Sequence, residues 1–151
     1  MDCHEKEDFL PTVEATERLG QELSKGLKPG DIVKITGTLG VGKTTFARGV
    51  IEGLGGNVHE VHSPTFSLVH EIPTPRGWVN HCDFYRLPKE SDLEDLGGLE
   101  LFSSDRIHLV EWLEQASVEK LLDPQRLIRV DLQIDAHGRF ARVMSPKKIF
   151  D

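Results

Sequence analysis

Apolar residues recur along this chain at helical spacing in some stretches and in short extended runs in others, and the two alternate. Behind Pro11-Thr12, the positions Ala15, Leu19, Leu23 and Leu27 repeat every fourth residue, which predicts a capped amphipathic helix ending near Pro29-Gly30. Asp31 to Thr36 (DIVKIT) is a mostly β-branched run interrupted by Lys34 and predicts a strand. Phe46, Ala47, Val50, Ile51 and Leu54 return to helical spacing over Thr44 to Leu54, with Gly55-Gly56 as the stop. Val58 to Ser63 and Phe66 to Ile72 read as short extended pieces joined at Ser63-Pro64. Pro73, Pro75 and Gly77 mark a turn before Trp78 to Phe84, so a hairpin is expected. Glu90 to Leu101 reads as helix, Ile107 to Trp112 as strand, and Ser117 to Leu122 as a short helix closing ahead of Pro124. Arg126 to Ile134 and Arg139 to Ser145 flank the tetrapeptide DAHG and predict a C-terminal β-hairpin. The expected fold is α/β, with a mainly parallel central sheet flanked by helices and an antiparallel C-terminal portion.

Composition narrows the class. A chain of 151 residues is long enough for a real core and short for a separate substrate domain, so one domain over residues 1–151 is expected, with residues 1–9 as a loose N-terminal end. Twenty-five acidic against 18 basic residues give a formal charge of −7, which argues against a broad nucleic-acid footprint on this chain alone and against DNA as a partner. Cys3 and Cys82 are far apart without a CxxC spacing, so neither a disulfide framework nor a zinc site is suggested, and a reducing cytoplasm fits. The charged N-terminus MDCHEKEDF lacks an apolar signal core, and no stretch approaches the roughly 18 apolar residues of a membrane span. The expectation is a cytoplasmic protein, neither exported nor embedded in a membrane.

The chemistry centres on Gly37 to Thr44, GTLGVGKT, a complete GxxxxGK[ST] pattern set between the predicted strand and the predicted helix. Glycines let backbone N–H groups wrap a phosphate, Lys43 offers a point charge to the outer phosphates, and the Thr44 hydroxyl suits Mg²⁺. A phosphate loop working with Mg²⁺ also needs carboxylates, because the ion is hard and prefers oxygen ligands. Glu111 follows the apolar run Ile107, Leu109 and Val110, and Asp83 ends WVNHCD; both would sit at strand ends, where an acidic residue is otherwise an ordinary solvated cap. Thr65, in Ser63-Pro64-Thr65, falls where nucleotide-sensing loops are often placed, although Ser and Pro also make it an ordinary turn residue. Arg86 offers a guanidinium to transferred charge, or else a surface ion pair. His59, His62, His81 and Cys82 lack HExxH or paired CxxC spacing, so transition-metal chemistry is not indicated. Trp78 and Trp112 read as core or partner-contact aromatics.

Taken in order, GTLGVGKTTFARG (Gly37 to Gly49), SPTFSLVHE (Ser63 to Glu71), HCDFYRL (His81 to Leu87), LGGLELF (Leu96 to Phe102) and LVEWLEQ (Leu109 to Gln115) resemble the TsaE (YjeE) family. These are small P-loop ATPases of bacterial threonylcarbamoyladenosine tRNA modification. The phosphate loop alone suits many families; SPTF, HxDxYRL and EW in this order are specific, and the resemblance spans about two thirds of the chain. It implies a single-domain P-loop NTPase that binds ATP and Mg²⁺, hydrolyses ATP slowly alone, and works with TsaB and TsaD. In that family TsaD transfers the threonylcarbamoyl group to adenosine 37 of certain tRNAs, and TsaE hydrolysis resets the complex, so tRNA is met only through it. Carried onto matching positions, Leu39, Gly40, Val41, Gly42, Lys43, Thr44 and Thr45 would hold the nucleotide. Thr44 and Glu111 would hold Mg²⁺, Asp83 would be a second acidic residue needed for hydrolysis, and Thr65 would be the switch threonine, with Lys43 counted among the catalytic groups. Trp112 would lie beside the metal ligand.

The chain departs from the family where Thr38 stands in place of the usual Asp, and where Leu113 follows EW in place of a proline or small residue. Neither change removes a required group. Two rivals stay open: a small-molecule phosphotransferase, disfavoured by the lack of an Arg-rich lid and of spare length, and a nonenzymatic nucleotide-dependent interaction module.

Overall fold

The computed structural model describes residues 3–38, 40–60, 68–85, 87, 94 and 97–150, except the side chain of residue 60. Seven strands form one sheet: β1 (His4–Leu10), β2 (Ile32–Thr36), β3 (Val69–Thr74), β4 (Gly77–Asp83), β5 (Ile107–Glu111), β6 (Leu127–Asp135) and β7 (Gly138–Ser145). Their spatial order is β1-β7-β6-β2-β5-β4-β3. The inner four, β6-β2-β5-β4, are parallel, whereas β1–β7, β6–β7 and β3–β4 pair antiparallel. Parallel and antiparallel ladders are thus equal in number, which corrects the expectation of a mainly parallel sheet to a mixed one. Two short connections, Thr74 to Gly77 and Asp135 to Gly138, make hairpins, and a hairpin is antiparallel by construction.

Two α-helices are described, α1 (Val13–Ser24) and α2 (Lys43–Gly53). The Thr12 hydroxyl accepts the Ala15 N–H at 3.0 Å and caps α1, as Pro11-Thr12 suggested. Leu19 and Leu23 of α1 share one buried cluster with Phe46, Val50 and Ile51 of α2 and with Val33, Ile35, Leu109, Val130 and Leu132 of the sheet. A second cluster on the other face joins Ile32, Cys82 and Val110 to Phe102, Leu113, Ala116 and Leu122. Successive strand residues point to opposite faces, so neighbours such as Ile32 and Val33 serve different cores. A sheet flanked by helices was expected; among the described residues both α-helices serve the first core, and 3₁₀ turns and irregular chain cover the second.

Local differences follow. Residues 1–9 were expected to be loose, yet β1 runs along the outer edge of β7 from His4↔Ser145 to Leu10↔Arg139. Lys6–Asp8 and Arg142–Glu5 ion pairs accompany that ladder. Val58–Glu60 is a 3₁₀ turn rather than extended, as are Glu119–Leu121 and Gly98–Phe102 where helix was expected. β3 begins at Val69 and runs through Pro73 to Thr74, a tolerable place for proline because β3 is an edge strand. No helix among the described residues is long and apolar enough to cross a membrane.

Candidate functional site

The site is assembled at the carboxyl ends of three adjacent parallel strands. β2 ends at Thr36 and feeds the glycine-rich turn into α2; its neighbour β5 ends at Glu111, which sits opposite Ile35, and β4 places Asp83 opposite Glu111. Register alone thus sets both carboxylates beside the mouth of the turn. Gly37 leaves β2 at φ 144°, and a Cβ there would lie 2.6 Å from both the Leu132 carbonyl oxygen and Val41 Cγ1, so a side chain would force the turn off β6. Gly42 enters α2 at φ 112°, a left-handed conformation that turns the chain sharply into the helix.

Gly40, Gly42, Lys43, Thr44, Thr45, Asp83, Tyr85, Glu111 and Trp112 line one cleft of about 310 Å³. The first N–H groups of an α-helix lack intrahelical acceptors and carry its positive partial charge. Here that end of α2, Lys43 to Thr45, faces the cleft. Lys43 Nζ donates to the carbonyl oxygens of Gly37 at 2.6 Å and Thr38 at 3.1 Å, and lies 4.4 Å from the centroid of the Trp112 ring. Burial pushes the Lys43 ammonium below the usual lysine range, while Glu111, Asp83 and Glu114 pull it back up. Trp112 holds this position from a left-handed backbone, φ 61°, which for a bulky side chain stores on the order of 1–3 kcal/mol of strain. Tyr85 packs on Trp112 with ring centroids 4.9 Å apart.

Asp83 accepts the Tyr85 N–H at 3.0 Å. Its carboxyl lies above the ordinary aspartate range because burial penalises the charge; the Tyr85 amide opposes this, Glu111 adds to it, and His81 and Lys43 oppose it. Glu111 is buried, and its Oε2 lies 2.7 Å from Nε2 of the fully buried His81. That bond uses one of two carboxylate oxygens, and a carboxylate offers about four acceptor sites. Thr44, Asp83 and Glu111 therefore bring hydroxyl and carboxylate oxygens to one cleft, the donor chemistry a hard cation takes. Among the described residues no three His, Cys, Asp or Glu side chains form a metal cage. Mg²⁺ is typically held by one or two carboxylates with water and phosphate oxygens, so the donor set fits that ion.

Of the residues singled out from sequence, Gly40, Gly42, Lys43, Thr44, Thr45, Asp83 and Glu111 meet at this cleft, with Trp112 beside them. Val41 does not: its side chain is buried in the α1–α2 core, and the loop geometry spends it on packing. Leu39, Thr65 and Arg86 lie outside the described residues. Thr38, the departure within the loop, is exposed and meets Lys43 through its carbonyl. Two participants were missed. Tyr85 lines the cleft, and His81 holds Glu111; their only sequence signal was membership of HCDFYRL, where His81 and Asp83 share a strand face.

The family model described as threonylcarbamoyl adenosine biosynthesis protein TsaE matches residues 10–143. The chain belongs to the TsaE family. Curated relatives agree. The TsaE protein of Rickettsia bellii is 38% identical over 126 residues, 83% of this chain and 85% of that protein. The TsaE protein of Bacillus subtilis is 40% identical over 114 residues, 76% of this chain and 69% of that protein. Among solved structures, Bacillus subtilis YdiB superposes with a TM-score of 0.73 over 97% of this chain and 89% of that one, at 24% identity, and so shares the fold. The TsaE match spans the glycine-rich turn, Asp83 and Glu111, the elements that build the cleft.

Proposed function

We propose that this protein is the Mg²⁺-dependent, ATP-binding and ATP-hydrolysing subunit of tRNA threonylcarbamoyladenosine biosynthesis. It acts in the cytoplasm with TsaB and TsaD and meets tRNA through their complex. The observation that carries the reading is the convergence, in a chain of this family, of the Lys43 ammonium, the Thr44 and Thr45 side chains and two carboxylates at the amino end of α2. Phosphate oxygens are received by backbone N–H groups of the turn and of α2, where the helix end favours negative charge. Lys43 supplies the fixed positive charge for the outer phosphates as charge develops there. Mg²⁺, held by Thr44 and Glu111, would supply charge neutralisation on the phosphate oxygens when bound. Asp83, made more basic by its burial, orients a water for in-line attack on the γ-phosphate, giving ADP and phosphate without a covalent intermediate. Thr65 and Leu39 join the site by resemblance alone.

The test is phosphate release from ATP by the full chain, alone and with TsaB, TsaD and tRNA, in the parent and in Lys43→Ala. Slow turnover alone, stimulation in the complex, and loss of nucleotide affinity and turnover in Lys43→Ala are expected. Full affinity and turnover in Lys43→Ala would overturn the central assignment. Phosphate transferred to a small acceptor would turn the reading to a phosphotransferase. Nucleotide-dependent association with no hydrolysis, partners included, would turn it to an interaction module.

A further inference from the structure

His81 lies two residues before Asp83 on β4 and pairs in register with Leu109, two residues before Glu111 on β5. Residues two apart on a strand share a face, so the imidazole and the Glu111 carboxylate meet diagonally across the parallel ladder. The His81 side chain is fully buried and that of Glu111 nearly so, at the floor of the cleft it lines, and Nε2 stands 2.7 Å from Oε2. Nδ1 has no hydrogen-bond partner among the described residues, so the ring's polar contact there is with Glu111. An ionised carboxylate only accepts, which assigns the hydrogen to Nε2.

We propose that His81 is a positioning residue for the divalent cation: its Nε2–H holds the Glu111 carboxylate in one orientation and leaves Oε1 to the metal. The inference rests on the Mg²⁺-dependent reading above. A glutamate's terminal torsion is broad and roughly two-fold, so an unheld carboxylate samples several orientations. A short charge-assisted bond from a buried ring removes that freedom. Groups that orient metal ligands in this way are typically worth about 10–100-fold in metal affinity. A histidine that merely satisfied a buried carboxylate would change stability and leave metal affinity of the folded protein alone.

Mn²⁺ is the probe, its free concentration counted by EPR with the full chain and a non-hydrolysable ATP analogue, and the folded fraction checked by circular dichroism. Two variants of similar size separate the roles. His81→Gln sets an amide nitrogen near the position of Nε2, whereas His81→Asn sets a shorter one near Nδ1, out of reach of Glu111. Mn²⁺ affinity should fall about 10–100-fold in His81→Asn and recover in His81→Gln, with nucleotide affinity in EDTA unchanged in both. Adding His81→Asn to Glu111→Gln should cause no further loss of Mn²⁺ affinity, since the histidine acts through that carboxylate. Parent-like Mn²⁺ binding in His81→Asn, equal losses in Asn and Gln, or multiplying losses in the double variant would each overturn the proposal. A parent protein that takes up no Mn²⁺ with nucleotide would overturn the metal reading itself, and this inference with it.

Discussion

Replacing Gly49 by alanine tests how α2, and with it the amino end that lines the cleft, is seated on α1. A Cβ at Gly49 would stand 2.1 Å from the Glu17 carbonyl oxygen, 2.8 Å from Glu17 C and 2.9 Å from Glu17 Cα, all of them α1 backbone. Ordinary contact begins at 3.4 Å, so the helices must part by about 1.3 Å at this crossing. Gly20 makes the reciprocal approach from α1, its Cβ position 2.5 Å from Phe46 O and 2.8 Å from Val50 N. Backbone cannot swing aside as a side-chain tip does. Overpacking costs about 1–3 kcal/mol, and alanine for glycine inside a helix returns about 1 kcal/mol. Two helix backbones resist together here, which places the cost at or beyond the top of that range and the net loss at roughly 2 kcal/mol. Urea unfolding followed by far-UV circular dichroism measures the loss as a lower midpoint at unchanged slope. Nucleotide affinity should fall as well, because α2 begins at Lys43 and moves as a unit. Stability equal to or above the parent would show that helix propensity outweighs the contact, and would refute the close seating of α2 on α1.

Asp83→Asn keeps an acceptor for the Tyr85 N–H and removes a carboxyl that burial holds above its ordinary range. The folded state binds a proton there more readily than the unfolded chain, so this group's contribution to stability is lost as pH rises from the unfolded value through the folded one. The variant should therefore melt higher than the parent near pH 8, with the gain vanishing below the ordinary aspartate range; an undiminished gain at low pH would sink the argument. Phosphate release should fall in the same variant. Arg126 donates to Gly30 O at 2.6 Å, Phe102 O at 2.7 Å and Ser103 O at 3.3 Å, tying the entry to β2 to the second core. Arg126→Met keeps the aliphatic stem and takes the donor from the Gly30 and Phe102 carbonyls, while Ser103 O keeps its 2.7 Å contact with His108 Nε2; a loss of about 2 kcal/mol in urea unfolding is expected, and a loss within error of zero would contradict it.

Capping at Thr12, the glycine-rich turn from β2 into α2, and both hairpins were legible because each is written in contiguous residues. Periodicity and the backbone needs of Gly and Pro act over a few positions, and those are what a pattern reading detects. β1 escaped notice for the opposite reason. His4 to Phe9 is too polar to announce a strand, and it becomes one at an outer edge where charged side chains meet water and pair with Arg142 of distant β7. Trp112 read as the end of a strand, yet its left-handed backbone lifts it out of β5 and lays its ring beside Lys43.

The chemistry was divided in the same way. GTLGVGKT, Asp83 and Glu111 could be picked out as residues suited to phosphate and a hard cation, since side-chain type and local spacing carry that information. Their meeting could not, because it depends on β2, β5 and β4 lying side by side with Glu111 opposite both Ile35 and Asp83. The same register, across 30 residues of chain, buries His81 against Glu111, while the geometry of the glycine-rich turn spends the Val41 side chain on the core. Local sequence sets which groups are present and what backbone they prefer. Strand register and burial, which are sums over contacts far apart in the chain, set which of those groups touch, and how strongly their charges act once water is excluded.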